Sequence, residues 1–355
     1  MSYTLPPHRA DQFSRRSFLQ LAAGGAAGVA FGGLGGRAAF AGPLPISQLS
    51  RMVIDVSYRT RVMDLPSDAE EVHVWIPLPP SDYAQEISDF SLTCPLPYEI
   101  THDEIYGNRM AHIVSEPTPF EVEARYRVSR SRVGVEVREL TPEAAEKYLT
   151  LTPRVRITDE VEDFARTATG GSREPSEIGR RAFDAIGELL SYDKTIPGCG
   201  TGDTAWIMRH RRGKCDDYHA LFMAVMISRD IPVRWEQGFP LAAPTGDQAQ
   251  AGRLAGDCTG AHCWASFYAP SQGWIPVDVS EADKTGAGGD FFFGQLSPNR
   301  FKISEGRRVA LNPVQGGDPL STFAFAYAEA DGIPLIYGAN YENEIKYWVK
   351  EVEKG

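Results

Sequence analysis

Three short stretches of the chain carry residue types suited to nucleophilic acyl transfer. In G-K-C-D-D-Y-H, Cys215 precedes a long apolar run; G-A-H-C-W contains His262, and G-W-I-P-V-D ends at Asp278. A cysteine becomes a good nucleophile when its thiolate is stabilised, and it needs a base that a carboxylate or amide orients. The three residues therefore predict a Cys-His-Asp triad.

The elements around these residues have to bring them together. Cys215 opens a predicted helix that presents His219, Phe222 and Met226 on the same face and stops near Pro232. Unpaired N–H groups and the positive end of the dipole at a helix N-terminus stabilise a thiolate. Three strands are predicted downstream, at 233–239, 262–268 and 274–278. The last two pair antiparallel through a turn at Gln272-Gly273, in a register that the pattern leaves open.

The three blocks, in this order, resemble the core of the bacterial transglutaminase-like superfamily, relatives of papain-like enzymes. The similarity runs over roughly residues 190–330 and includes G-T-G-D-T-A-W and F-F-F-G-Q-L-S-P-N-R-F. It implies Cys215 as nucleophile, His262 as general base and acid, and Asp278 as the residue that orients the imidazole. Trp206 is a candidate for an oxyanion donor through its indole N–H, and a core tryptophan is the alternative.

The resemblance also implies the activity. A transglutaminase-like cysteine protease or amidase would act on a peptide or protein amide through a thioester on Cys215. The thioester would be released by water or by an amine acceptor. No cofactor is expected. The chain has no D-x-D-x-D-G loop of the kind that binds calcium, so we expect no dependence on calcium or zinc.

Two other functions remain open at this stage. Cys215-x3-His219 and Cys258-x4-Cys263, together with His262, could supply zinc ligands, although the second spacing is looser than that of ordinary zinc knuckles. Alternatively, the chain is a non-catalytic extracytoplasmic binding module that keeps a vestigial core. Asp216 and Asp217, in the first turn of the predicted helix, are interpreted as structural because they suit the helix dipole.

The fold class is predicted as α+β. Alternating apolar and polar residues at 51–62, 70–77 and 121–130 predict an antiparallel β-sandwich-like domain over 46–137. Helical patterns at 142–149 and 175–191 open the papain/transglutaminase-like core, placed at 138–312. Residues 313–355 are predicted to form a hairpin that turns at Asp331-Gly332 and an amphipathic helical tail over 341–353.

The first 41 residues have the features of an export signal. Ser14-Arg15-Arg16-Ser17-Phe18-Leu19 resembles the twin-arginine motif, and an uncharged Ala- and Gly-rich run follows it. Ala39-Phe40-Ala41 offers a small-x-small cleavage pattern, so cleavage is predicted after Ala41. An uncleaved membrane anchor is the alternative. The prediction is an exported protein, periplasmic or extracellular, with no stable membrane span after cleavage.

Charge limits the kind of partner. The full chain has a formal net charge of −11, and removal of residues 1–41 leaves 32 basic and 46 acidic residues, a net charge of −14. A surface this acidic repels phosphate backbones, which argues against nucleic acid as a partner.

Five cysteines form an odd set: Cys94, Cys199, Cys215, Cys258 and Cys263. In an oxidising compartment at least one thiol stays free. Cys199 and Cys258 flank the triad in sequence, so they could reach disulfide distance; all five thiols reduced is the alternative. Cys263 neighbours His262 on a strand and is expected to point away from the site.

Overall fold

The computed structural model describes residues 44–245 and 250–355. The predicted export signal lies outside these residues. Within them the strands are β1 (Leu49–Val62), β2 (Val72–Leu78), β3 (Gln85–Thr93), β4 (Tyr98–His102), β5 (Arg109–Ser115), β6 (Phe120–Ser131), β7 (Ser191–Tyr192), β8 (Arg212–Gly213), β9 (Val233–Pro240), β10 (Ala251–Leu254), β11 (His262–Ala269), β12 (Gly273–Val277), β13 (Arg300–Glu305), β14 (Tyr327–Ala330), β15 (Ile333–Pro334) and β16 (Tyr341–Lys354).

Five of the six α-helices of the described residues lie between β6 and β9 in sequence, and the sixth follows β12. They are α1 (Pro142–Glu146), α2 (Asp159–Thr169), α3 (Pro175–Leu189), α4 (Thr204–His210), α5 (Cys215–Ile227) and α6 (Val279–Thr285), with short 3₁₀ helices at Ile46–Gln48 and Gly286–Phe292. The sequence patterns missed α2, α4 and α6. Each begins after a capping side chain: Thr158 accepts a hydrogen bond from the Val161 N–H, Asp203 accepts from two N–H groups of α4, and Asp278 accepts from the Glu281 N–H.

Two five-stranded antiparallel sheets form the β-sandwich. One has the order β10-β16-β1-β6-β3 and the other β15-β14-β2-β5-β4. Their inward side chains share one apolar core, which is why β6 alternates buried and more exposed residues along almost its whole length. The antiparallel sandwich and the α+β class are confirmed. Its strands come from both ends of the chain, so the sandwich extends beyond the predicted 46–137.

The predicted helical tail is wrong. Residues Tyr341–Lys354 form β16, which pairs antiparallel with β1 along its full length. Tyr341, Asn343, Ile345, Tyr347 and Val349 are buried, and the residues between them are more exposed. This is the period of a strand. The segment is rich in aromatic and β-branched residues, and pairing with β1 decides between two patterns that the sequence alone does not separate.

The hairpin lies where the sequence placed it. β14 and β15 pair through Ala330 and Ile333, and Asp331 and Gly332 between them both have positive φ. Positive φ at both central residues is the requirement of a type I′ hairpin turn, which Asp-Gly meets.

The elements that carry Cys215, His262 and Asp278 form a layer of helices on a third sheet. A four-stranded antiparallel sheet has the order β12-β11-β9-β13, and α5 packs on it with every residue buried. Helix α3 also lies against this sheet, and a Cβ at Gly179 would stand 2.2 Å from the Phe267 ring. Only glycine allows this approach. The N-terminus of α5 lies near the start of β11, because Cys215 interacts with His262.

Candidate functional site

Cys215 is the first residue of α5 and has 5% of its surface exposed. Asp217 fixes the start of this helix, because its carboxylate accepts hydrogen bonds from the Lys214 N–H at 2.8 Å and from the Thr201 and Gly202 N–H groups at 2.8 and 2.9 Å. Asp216 pairs with the buried guanidinium of Arg307. Both aspartates therefore have structural contacts that hold the start of α5, as their positions in the first turn suggested.

His262 and Asp278 lie at the same end of the sheet, since His262 starts β11 and Asp278 follows β12. Ala265 pairs with Val277, so Asp278 follows in line opposite Trp264, and His262 is its diagonal neighbour. The His262 Nε2 atom lies 2.7 Å from the Asp278 Oδ2 atom, and both side chains are buried. This register answers the question that the sequence left open.

The imidazole connects the carboxylate to the thiol. Cys215 and His262 are hydrogen-bond partners. Because Nε2 is occupied by Asp278, Nδ1 is the ring nitrogen left to face the sulfur. Cys215, His262 and Asp278 thus form one hydrogen-bonded series. Their catalytic roles, which the sequence predicts, depend on this arrangement.

Electrostatics favour a thiolate beside an imidazolium. A hydrogen bond from Cys263 and the contact with His262 hold the pKa of the Cys215 thiol well below its usual range, although burial opposes this. Burial also lowers the pKa of His262, but the charge of Asp278 and the hydrogen bonds to Asp278 and Cys215 raise it to about 9. Between these two pKa values the thiol is deprotonated and the imidazole protonated, which is the reactive form of such a pair.

Asp278 is held from four directions. It accepts from the Ser280 hydroxyl at 3.1 Å and the Glu281 N–H at 3.0 Å, in addition to His262. The fourth donor is Arg300, whose Nη1 lies 2.7 Å from Oδ2. Burial raises the pKa of Asp278, but the positive charges of His262 and Arg300 bring it well below its ordinary value. The carboxylate is therefore ionised and fixed.

Sequence reasoning missed Arg300. It is the first residue of β13, is buried, and stacks over Trp264 with its guanidinium carbon 5.1 Å from the ring centroid. The available signal was a single arginine in S-P-N-R-F, within the block that resembles the family. Nothing in that stretch says which of the chain's carboxylates the arginine meets, because the contact depends on how β13 is placed in the sheet.

Replacement of Arg300 is expected to lower the rate and move its pH dependence. In Arg300→Met, Asp278 loses a positive neighbour, so its pKa rises and it becomes protonated at a higher pH. We expect kcat/KM to fall by about 10- to 100-fold near neutrality and its acidic limb to move to higher pH. A pH profile of kcat/KM measures both effects.

Arg130→Met is the matched control for this variant. Arg130 is also buried and stacks over Trp264 at 5.7 Å, but it bonds the Gln85 side chain. If Arg300→Met and Arg130→Met lose equal activity with an unmoved acidic limb, then Arg300 has only a packing role.

His219 lies beneath the triad. It is fully buried, its Nδ1 is 2.8 Å from the Cys215 carbonyl oxygen, and the Val279 N–H donates to its Nε2 at 3.3 Å. Nδ1 therefore carries the hydrogen, and burial lowers the pKa of this imidazole. His219 thus ties α5 to the start of α6 as a neutral, packed side chain.

Cys263 does not point away from the site, as expected from strand alternation. Its thiol is a hydrogen-bond partner of Cys215 and lies 3.8 Å from the His219 Nδ1 atom. Cys263 faces the core that contains α5. This agrees with strand alternation, by which His262 and Cys263 point to opposite faces of β11. The expectation was wrong because Cys215 lies at the N-terminus of α5, where the side chains of His262 and Cys263 can both contact it.

Trp206 lies on α4 and is half-buried. Its indole stacks on the His210 imidazole with ring centroids 4.3 Å apart and planes 20° apart, and it packs against the core of the α5 layer. These contacts suit a packed tryptophan. Its role as an oxyanion donor stays a prediction.

Of the cysteines in the zinc alternative, Cys215 and Cys263 are neighbours, whereas Cys258 lies against Cys199. In the part of the chain that the structure describes, the side chains spaced to share a metal ion are His262, Asp278 and Glu281, with ligand atoms within 4.8 Å of one another. Two of these are triad positions, so a metal bound there would compete with the Cys215–His262 pair.

Fold and site together define a transglutaminase-like core. Residues 162–279 match the model of the transglutaminase-like superfamily, and this region contains Cys215, His262 and Asp278. The structure is also similar to that of a candidate cysteine protease from Cytophaga hutchinsonii, with a TM-score of 0.52 and 18% identity, covering 84% of this chain and 99% of that one. At this level of identity the likeness shows the fold alone.

The matches to curated relatives cover only part of each protein. An uncharacterised protein of Haemophilus influenzae is 27% identical over 215 residues, which cover 54% of this chain and 58% of that protein. The uncharacterised protein YebA of Bacillus subtilis is 26% identical over 81 residues, which cover 21% of this chain and 10% of that protein. The matched segments thus span less than two thirds of these relatives. Across residues 44–245 and 250–355, none of the helices combines the length and apolar character that crossing a membrane requires.

Proposed function

We propose that this chain is an exported cysteine-dependent acyl-transfer enzyme, a transglutaminase-like cysteine protease or amidase that acts through a thioester on Cys215. One observation carries the proposal. Cys215 at the N-terminus of α5 is hydrogen-bonded to His262. His262 is hydrogen-bonded in turn to Asp278, which is ionised and also held by Arg300. A packed core has no need of a buried thiolate, imidazolium and carboxylate in series, since each buried charge costs free energy unless it is paired.

The proposed reaction begins with attack by the Cys215 thiolate on an amide carbonyl carbon. A C–S bond forms, and the carbonyl electrons move onto the oxygen. The Cys215 backbone N–H, one of the first-turn donors that lack an intrahelical partner, is placed to stabilise this oxyanion. Trp206 is the candidate for a second donor.

Collapse of the tetrahedral species breaks the C–N bond. Protonated His262 gives its Nδ1 proton to the leaving amine, which departs and leaves a thioester. The neutral imidazole then takes a proton from water or from a second amine as that group attacks the thioester. Cys215 leaves as the thiolate, and His262 is protonated again. Water gives a hydrolase, and an amine gives a transglutaminase.

The proposed substrate is an amide in a peptide or protein. We also propose export by the twin-arginine route, with cleavage after Ala41, from the motif that surrounds Arg15 and Arg16. The acidic chain argues against nucleic acid as a partner, as the sequence suggested.

A panel of fluorogenic peptide amides tests the activity and its independence from metals. We expect amine release at equal rates with and without a chelator, because the proposed steps use only thiolate, imidazole and carboxylate. Addition of a primary amine as competing acceptor separates hydrolysis from transfer. Activity that is lost with the chelator and restored by one metal would contradict the mechanism.

A further inference from the structure

A second pair of thiols lies beside the triad. The Cys199 thiol donates to the Cys258 carbonyl oxygen at 2.7 Å, and the Cys199 side chain also interacts with the Cys258 thiol. The backbone of the first segment also approaches the second sulfur, since a Cβ at Gly198 would stand 3.2 Å from the Cys258 Sγ atom. Two residues that are 59 positions apart in sequence are therefore in contact.

The Cys199 segment is attached to the first turn of α5. The Cys199 carbonyl oxygen accepts from the Asp216 N–H at 3.4 Å, and the Lys214 Nζ donates to the Gly198 carbonyl oxygen at 2.8 Å. Lys214 and Asp216 are the two sequence neighbours of Cys215. A displacement of Cys199 would therefore act directly on the position of the nucleophile.

The Cys258 segment leads into β11. Cys258 lies in a turn closed by the Gly260 N–H and the Asp257 carbonyl oxygen at 2.9 Å, and His262 follows this turn. Upstream, β10 pairs with β16, and the Asn343 side chain donates to the Gly256 carbonyl oxygen at 3.1 Å. The segment is thus anchored to the sandwich on one side, and on the other it contacts the Cys199 segment.

The four thiols around the site differ in access and chemistry. Cys199 and Cys258 are partly exposed, whereas Cys215 and Cys263 are buried. The interaction with the Cys199 side chain lowers the pKa of the Cys258 thiol to about 7, with help from the charge of Lys214. The same interaction and burial raise the pKa of Cys199. Near neutral pH, Cys258 is therefore the thiol that can act as a nucleophile towards an external oxidant.

We propose that Cys199 and Cys258 form a reversible disulfide that clamps the nucleophile's helix to the segment that carries His262. A small-molecule disulfide such as oxidised glutathione is the oxidant. The Cys258 thiolate attacks one of its sulfurs and releases one glutathione thiolate; the Cys199 sulfur, after losing its proton, then attacks the mixed disulfide and releases the second. The two protein thiols together lose two electrons and two protons, and the oxidant becomes two glutathione thiols.

The bridge closes a loop that contains Cys215 and ends just before His262. It restricts the unfolded chain and limits separation of the two segments in the folded one. We expect it to raise the thermal midpoint and to hold the Cys215–His262 contact. The effect on activity rests on the proposed function, whereas formation of the bridge does not.

The test compares the full chain after equilibration with oxidised glutathione and with dithiothreitol. Mapping of alkylated peptides without reduction should find a Cys199–Cys258 bridge and three alkylated cysteines in the oxidised sample. The thermal midpoint should be about 4–8 °C higher in that sample. Cys199→Ser should abolish the difference, and Cys94→Ser, which removes a partly exposed thiol in the sandwich, should retain it.

Five alkylated cysteines after oxidation would overturn the proposal, as would a bridge that includes Cys215 or Cys263. An equal midpoint shift in Cys199→Ser and the wild type would also overturn it. Peptide mapping and melting require no turnover. A bridged, stabilised protein without amidase activity would therefore count against the proposed function and leave the clamp standing.

Discussion

Cys215→Ala is expected to lower kcat/KM by at least about 10⁴-fold on any amide that the wild type cleaves. The variant keeps His262 and Asp278 but has no atom that can form the thioester. Alanine is small and apolar and Cys215 is buried at a helix start, so the fold should persist. Steady-state assays, with the thermal midpoint as a check on folding, measure the effect.

Cys94→Ala serves as the control for loss of a thiol. Cys94 packs at the edge of the sandwich core, and its replacement should leave turnover within about twofold of the wild type. Wild-type turnover by Cys215→Ala would show that another group attacks the substrate.

Asp278→Asn is expected to lower kcat/KM by about two to four orders of magnitude. Oδ2 of Asp278 accepts from His262 and Arg300, while Oδ1 accepts from Ser280 and Glu281. An amide has one oxygen, so either pair of donors loses its acceptor. If the nitrogen faces His262, the imidazole is driven into the tautomer that cannot serve the thiol.

The pH profile of Asp278→Asn provides a second readout. The charge of Asp278 is a main reason that the pKa of His262 is raised to about 9, so its removal should lower that pKa. The imidazolium exists below its pKa. The alkaline limb of kcat/KM should therefore move to lower pH, and the range in which thiolate and imidazolium coexist should narrow.

Glu281→Gln is the matched control for this variant. The Glu281 carboxylate lies 3.7 Å from the His262 Nε2 atom, which is longer than a hydrogen bond, and it pairs with Lys284. Its loss should change the rate by less than about tenfold. An unchanged rate and profile between about pH 5 and 9 in Asp278→Asn would contradict the orienting role.

The sequence could indicate those site residues whose position follows from one helix or strand alone. Cys215 before an apolar helical run, His262 at the start of a strand and Asp278 at the end of the next were readable because each residue marks an element boundary. Three such boundaries in family order gave the fold class of the core. Their register followed only from the paired strands.

Arg300 and Cys263 show what the sequence could not indicate. Each acts across elements: Arg300 reaches Asp278 from β13, and Cys263 reaches Cys215 because that residue stands at the end of α5. Alternation predicts which face of the sheet a side chain occupies. It does not predict which residues of a neighbouring helix pack against that face. The helical prediction for 341–353 was wrong for a related reason, since this segment pairs with β1, which is distant in sequence.

Direct detection of the acyl-enzyme tests the central claim. The wild type and Cys215→Ala are mixed with an activated acyl donor, quenched in acid, and examined by intact mass and peptide mapping. We predict that the wild type gains the mass of one acyl group, that hydroxylamine removes it as it removes a thioester, and that it maps to the peptide with Cys215. An acyl group on another residue, or turnover at the wild-type rate in Cys215→Ala without any adduct, would contradict the account.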